Sequence, residues 1–153
     1  MGLTHYWSFN KGSTFTSKES AQAYESAIRD CQKIVRAWHK VNGGLSGYTP
    51  HTTVDSYNGV SFNGSRENGH EPFILRESFK EALSQDDFCK TDGKPYDIVV
   101  RACLLALKRR LGDRFDLSSD CKNKELWQDA EKIMKRVLNV KNFEFTQHLQ
   151  VAG

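Results

Sequence analysis

The apolar positions of the chain are concentrated in residues 98–107, where Arg101 is the sole charged side chain. This pattern predicts a helix over about 95–111 that is buried on nearly all of its faces. Arg101 and Lys108 are seven residues apart, so we expect them to share one narrow solvent-facing stripe. Gly112 predicts the end of the helix. We therefore expect this helix to form the centre of the fold.

Two further helices are predicted by apolar residues that recur at intervals of three and four. The first series runs from Tyr24 to Trp38, and the second runs from Leu126 to Leu138. Asn42-Gly43-Gly44 predicts the end of the first helix, and Asn139 predicts the end of the second. Each helix has one apolar face, which we expect to pack beside the central helix.

Short alternating segments between the helices predict strands. They are Leu3–Phe9, Val60–Gly64, His70–Arg76, Arg114–Asp120 and Phe143–Thr146. Pro72 places the third strand at a sheet edge, because proline has no N–H to donate. Residues 45–59 predict a surface loop with a short strand near Thr53–Asp55, and residues 78–85 fit either a helix or a loop. The polar residues from Phe88 to Asp97 predict a turn before the central helix.

This order of elements predicts an α+β fold in a single domain, residues 1–153. We expect a mostly antiparallel sheet of about four to five short strands covered by three helices. Residues 148–153 are expected to form a loose tail.

Composition narrows the class of protein. The chain has 153 residues, of which 38% are hydrophobic and 27% are charged. No run approaches the roughly 20 apolar residues of a membrane span, so we expect no membrane partner. A net charge of +3 is too small to predict a nucleic-acid partner. The start of the chain lacks a secretory pattern and its four cysteines show no CxxC pair, which predicts a cytoplasmic protein with reduced thiols.

Several short motifs carry a family resemblance. They are Thr4-His5-Tyr6-Trp7, Phe62-Asn63-Gly64, Phe88-Cys89-Lys90-Thr91, Lys94-Pro95-Tyr96-Asp97, and Ser118-Ser119-Asp120 ahead of Trp127. On these motifs the chain resembles a family of small uncharacterised proteins from bacteriophages and some bacteria. It departs from that family at Asp92-Gly93, where Ala-Arg is common, and at Cys121, where Gly is common. The resemblance implies a phage-type protein of the host cytoplasm, and it implies no activity.

The polar residues of these motifs form the candidate ligand site. They are His5, Tyr6, Asn63, Lys90, Thr91, Lys94, Tyr96, Asp97, Ser118, Ser119 and Asp120. They fall at strand ends and at the start of the central helix, where unpaired backbone N–H groups attract anions. With Lys90, Lys94 and Thr91 beside it, this helix start predicts an anion or phosphate cradle. In the alternative, Thr91 and Asp97 cap the helix and the lysines are simply solvated.

Two classes of function stay open on these residues. We expect a non-catalytic phage accessory protein that binds a small anionic ligand such as a nucleotide, or a host protein, and so modulates host metabolism or defence. The alternative is a metal-dependent hydrolase or nuclease that uses His5, His70, Glu71 and Asp120. Cys89, beside Lys90, is a further candidate nucleophile if its thiol pKa is lowered. No cofactor and no specific metal site are predicted, no catalytic set is defined, and a homo-oligomer is compatible with the sequence.

Overall fold

The structure is a computed structural model that describes residues 3–9, 17–46, 59–76, 78–83 and 87–143. Within these residues it contains four α-helices and six strands. The strands are β1 (Thr4–Phe9), β2 (Leu45–Ser46), β3 (Val60–Gly64), β4 (Phe73–Leu75), β5 (Asp87–Lys90) and β6 (Phe115–Ser119). The helices are α1 (Ser17–Asn42), α2 (Phe79–Leu83), α3 (Asp97–Leu111) and α4 (Lys124–Leu138).

The described strands form two antiparallel sheets of three strands each. The first sheet has the order β5-β1-β6, and the second has the order β2-β3-β4. The predicted α+β class with antiparallel pairing is confirmed, although the strands divide between two sheets where one was expected. The edge position predicted from Pro72 is also confirmed, since β4 is the last strand of the second sheet.

Strand β5 corrects the sequence analysis, which assigned its residues to a polar turn. Residues 87–90 pair with β1, with Phe88 opposite Tyr6 and Lys90 opposite Thr4. Only Cys89 of this strand is buried, so the segment has too few apolar positions to show an alternating pattern. The residues of β2 were assigned to a loop, because two residues are too few to show the alternation of buried and exposed side chains that predicts a strand.

Four further segments were assigned from the sequence, and the structure describes only one of them in full or in large part. The segment 78–85, for which helix and loop were both open, contains the short helix α2. The strand expected near 53–55 and the tail 148–153 lie outside the described residues. The strand expected at 143–146 lies outside them as well, apart from Phe143.

Helix α3 is the buried centre that the sequence predicted. Leu104 and its neighbours through Leu107 are fully buried, and the helix ends at Gly112, whose φ of 55° lies in the left-handed region that glycine adopts without strain. Arg101 is a correction, because it is 4% exposed and does not face solvent. Its guanidinium lies against Asp97, one turn earlier on α3, and reaches the carbonyl of Leu126 on α4.

Aromatic side chains on the inner face of β1 join the two sheets and the helices. Phe9 contacts the rings of Tyr24 and Phe115, with centroids 5.6 and 5.4 Å apart. Trp7 contacts Phe73 of the second sheet, with ring centroids 5.2 Å apart.

All four cysteines are buried free thiols. Within the described residues, no helix has the length and apolar character to cross a membrane.

Candidate functional site

A buried polar network lies on the inner face of the first sheet. The imidazole of His5 lies 2.6 Å from Asp97 Oδ1 through Nε2, and 2.7 Å from Ser119 Oγ through Nδ1. Arg101 donates from Nε to Asp97 Oδ2 at 2.6 Å, and the Thr91 hydroxyl donates to Asp97 Oδ1 at 2.5 Å. All five residues are buried, so the network belongs to the protein interior.

Residues from β1, β6, α3 and the end of β5 assemble this network. His5 and Ser119 are directly opposite each other on β1 and β6. Asp97 opens α3, and Arg101 follows it at the i,i+4 spacing that places two helix side chains together. Thr91 is held at the end of β5 because its backbone N–H donates to the carbonyl of Leu3. The network therefore fixes the start of α3 against the sheet.

The charge of Asp97 follows from the groups that surround its carboxylate. Burial alone would raise the pKa of Asp97. The hydrogen bond and attraction of His5, the charge of Arg101 and the hydrogen bond from Thr91 together lower that pKa to about 2. With Asp97 ionised, Nε2 of His5 donates to it, and Nδ1 is within hydrogen-bonding distance of the hydroxyl of Ser119. Ser119 Oγ in turn accepts the backbone N–H of Cys121 at 2.9 Å, so every member has a partner.

Ser119, His5 and Asp97 are the residue types of a hydrolase triad, but their surroundings oppose that role. His5 is 0% exposed and Ser119 is 2% exposed, so a substrate has no access to the hydroxyl. The indole ring of Trp127 packs edge-on against His5 with centroids 5.6 Å apart. A nucleophile must reach the reacting atom. The network therefore stabilises the fold.

Asn63 and Tyr96 also hold backbone segments in place. Asn63 accepts the N–H of His70 and donates to the carbonyl of the same residue, both at 3.0 Å, which closes the β3–β4 connection. The close approach of Gly64 to Asn68 leaves no room there for a Cβ. The hydroxyl of Tyr96 donates to the carbonyl of Glu71 at 2.5 Å. These contacts give the Phe-Asn-Gly and Lys-Pro-Tyr-Asp motifs structural roles.

The start of α3 already uses most of the donors that an anion cradle would need. The Thr91 hydroxyl donates to Asp97, and the backbone N–H of Asp97 donates to the carbonyl of Lys94 at 2.8 Å. The amides of Val99 and Val100 donate to the carbonyl of Tyr96. The carboxylate of Asp97 adds a negative charge at the same place. Lys90 and Lys94 are half-buried beside it.

The residues proposed for metal binding and for a cysteine nucleophile do not form the sites that those roles require. The described part of the chain contains no cluster of three His, Cys, Asp or Glu side chains that could hold a metal ion. Asp120 is exposed at the end of β6. The Glu71 carboxylate accepts the backbone N–H of Lys90 at 2.7 Å. Burial raises the pKa of the Cys89 thiol to about 12, which is opposite to the lowered pKa expected from sequence.

The outer face of the first sheet carries a different feature, an open groove of about 1060 Å³. Tyr6 and Phe88 line it, and they are 44% and 62% exposed. Their rings lie 6.4 Å apart, because the two residues are opposite each other on β1 and β5. Ser118, opposite Tyr6 on β6, lines the same groove. Of the predicted site residues, Tyr6 and Ser118 are thus brought to one open surface.

Sequence analysis missed two groups of residues. Arg101 completes the buried network, and its i,i+4 spacing from Asp97 was the signal that could have found it. Phe88 forms the exposed aromatic pair, and only the pairing of β5 with β1 shows that it shares a face with Tyr6. Comparison of the chain with protein-family models, curated proteins and solved structures gives no match.

Proposed function

We propose that this protein is a non-catalytic binding protein that recognises a protein partner through the outer face of its first sheet. The observation that carries the proposal is the groove of about 1060 Å³ lined by the exposed pair Tyr6 and Phe88. Exposed aromatic residues cost solubility unless they serve a contact, and they dominate the energy of protein interfaces. The resemblance to bacteriophage proteins supports a bacterial host protein as the partner and modulation of that host as the role.

The charges of the molecule favour a protein partner over a small anion. The start of α3, where an anion was expected, contains the ionised Asp97, and the amides of Asp97, Val99 and Val100 already donate to carbonyls of the chain. Among the described residues, the groove is lined by two cations, Lys108 and Arg109, and by three carboxylates, Asp87, Asp113 and Asp116. A phosphate-bearing ligand is repelled by an excess of carboxylates. The groove therefore supports the protein-binding alternative among those that the sequence left open.

Site-directed photo-crosslinking tests this proposal. A photoreactive phenylalanine analogue is placed at Phe88, and in a matched control at Val41, which is 82% exposed on α1 and does not line the groove. In bacterial cells that produce the protein, we expect a discrete adduct with one host protein from position 88 and none from position 41. The Tyr6→Glu substitution should remove the adduct, because a charge then replaces half of the aromatic pair.

Two outcomes contradict the proposal. Identical adducts from positions 88 and 41 would show that the crosslinks report exposure alone. The absence of any adduct at position 88, in a variant that melts at the wild-type temperature, would show that the groove contacts no protein in the host.

A further inference from the structure

We propose that the groove binds an extended segment of its partner in which a Lys or Arg side chain and an aromatic or aliphatic side chain are two positions apart. The cation lies against Asp113 and Asp116, and the apolar side chain lies on Tyr6 and Phe88. This inference rests on the proposed function, because it names the chemistry that the same groove recognises.

The carboxylates of the groove supply the charge that a cation would meet. Asp87 is already engaged, since it lies 3.3 Å from the guanidinium of Arg76. Asp113 and Asp116 are exposed and make no ion pair with a residue in the described part of the chain. Asp116 lies in β6, and Asp113 precedes it in the single turn that joins α3 to β6. These two carboxylates form an acidic position at one side of the groove.

The cations of the groove are committed to partners within the protein. The Lys108 ammonium donates to the carbonyls of Gly112 and Phe115, at 3.0 and 2.7 Å. The Arg109 guanidinium lies 3.5 Å from the carboxylate of Asp30 on α1. Lys108 and Arg109 are thus held by these partners, whereas the carboxylates of Asp113 and Asp116 have no ion-pair partner among the described residues and are complementary to a basic side chain.

The register of the sheet sets the spacing of the partner's side chains. Asp116 is opposite Ser8, and Tyr6 is opposite Ser118, so Asp116 and Tyr6 are diagonal neighbours on the outer face. Diagonal neighbours of this kind are roughly 7–8 Å apart. In an extended chain, side chains two positions apart are about 7 Å apart and point to the same side. A basic residue and an apolar residue at this spacing therefore reach the acidic position and the aromatic pair together.

Selection from a displayed library of random short peptides tests the inference without knowledge of the natural partner. We expect the peptides that wild-type protein enriches to contain Lys or Arg two positions from an aromatic or aliphatic residue. The most enriched peptide is then synthesised and titrated by calorimetry against wild type, Asp116→Asn and a control, Asp129→Asn. Asp129 is an exposed carboxylate on α4 that does not line the groove.

We expect Asp116→Asn to weaken the selected peptide about tenfold, which is about 1.4 kcal/mol, while Asp129→Asn binds it like wild type. A weaker affinity at high salt should accompany this result, because exposed charges are screened. Equal binding to all three proteins would overturn the inference. Enrichment of acidic or purely apolar peptides would overturn it too.

Other occupants of the groove have their own signatures. Binding of a single-stranded oligonucleotide that Phe88→Ala abolishes would assign the aromatic pair to base stacking. A dimer in sedimentation that Phe88→Ala dissociates would assign it to a second copy of the chain. Either result would overturn the inference that the groove binds a basic segment. A host protein crosslinked at position 88 through a contact surface without basic side chains would overturn the inference while supporting the proposed function.

Discussion

The two faces of the first sheet differ although they are built from the same strands. On β1, His5 and Trp7 point inward and are 0% and 3% exposed, whereas Tyr6, between them, points outward and is 44% exposed. On β6, Ser119 is buried in the polar network, and its neighbour Ser118 lines the open groove. Successive side chains of a strand point to opposite faces. Consecutive residues of a motif in such a strand therefore alternate between buried positions that maintain the fold and exposed positions that a partner can contact.

This difference separates the residues of the Thr-His-Tyr-Trp motif by role. Polar character alone made His5 and Tyr6 equal candidates for a ligand site. The structure places His5 in a network where all its hydrogen bonds are satisfied, and it places Tyr6 at the surface beside Phe88. A buried, satisfied polar residue maintains the fold. The residues most suggestive of chemistry in the sequence are thus the ones least accessible to a substrate.

The largest expected difference between the faces is at Asp97. Asp97→Ala leaves the buried guanidinium of Arg101 without its carboxylate, so we expect the free energy of unfolding to fall by about 3–5 kcal/mol. The matched control is Asp116→Ala on the outer face, for which we expect a change within about 0.5 kcal/mol. Urea unfolding of both variants measures the two values. Similar losses at the two positions would contradict the distinction between the faces.

The pH dependence of stability should also come from the inner face. The pKa of Asp97 in the folded protein, about 2, lies below its ordinary value of 3.8. A lowered pKa means that the ionised carboxylate stabilises the fold above the ordinary value, and that this contribution is lost as pH falls through 3.8 toward about 2. We expect a contribution of about 2 kcal/mol.

The Asp97→Asn variant isolates this contribution, because its side chain does not titrate. The difference between the unfolding free energies of wild type and Asp97→Asn should shrink by about 2 kcal/mol between neutral pH and a pH of about 2. A difference that stays constant over this window would show that Asp97 has no lowered pKa in the folded state.

A smaller effect is expected from two adjacent serines on β6. Ser119→Ala removes the acceptor of the Cys121 N–H and the hydrogen bond with His5, so we expect a loss of about 1–2 kcal/mol in unfolding free energy. Ser118→Ala, on the outer face, should change it by less than about 0.5 kcal/mol. Thermal and urea unfolding of the pair measure both. Equal losses of unfolding free energy for the two substitutions would show that the hydrogen bonds of Ser119 do not stabilise the fold.

The sequence allowed α1, α3 and α4 and most of the described strands to be predicted, because their apolar residues follow clear patterns, whereas residues 78–85 fitted a helix and a loop equally. The apolar run around Leu104 predicted α3, and its end at Gly112 followed from glycine's backbone freedom. The contacts of Arg101 were not predicted, because solvent exposure was inferred from charge, whereas a carboxylate one turn away makes burial of a guanidinium acceptable. Strand β5 was not predicted, because it has one buried residue and depends on pairing with β1.

The candidate site was only partly predictable for the same reason. His5, Thr91, Asp97 and Ser119 were expected to converge, and they do so in the core. The groove depends on Phe88 being opposite Tyr6. That relation joins positions more than eighty residues apart, and it is set by the sheet register.

Phe88→Ala is expected to affect stability less than Ser119→Ala does, and this substitution tests the comparison of the two faces most directly. Its ring is 62% exposed and its principal aromatic contact is Tyr6, so Phe88→Ala should lower the unfolding free energy by less than about 1 kcal/mol. The same substitution removes half of the apolar floor of the groove, and we expect it to weaken a selected basic peptide at least about tenfold. Ile74→Ala is a suitable control, because Ile74 is 42% exposed on β4 and does not line the groove. Calorimetric titration and thermal melting of the two variants should show binding lost only in Phe88→Ala, with both proteins folded. If both variants bind like wild type, the exposed aromatic pair has no part in recognition.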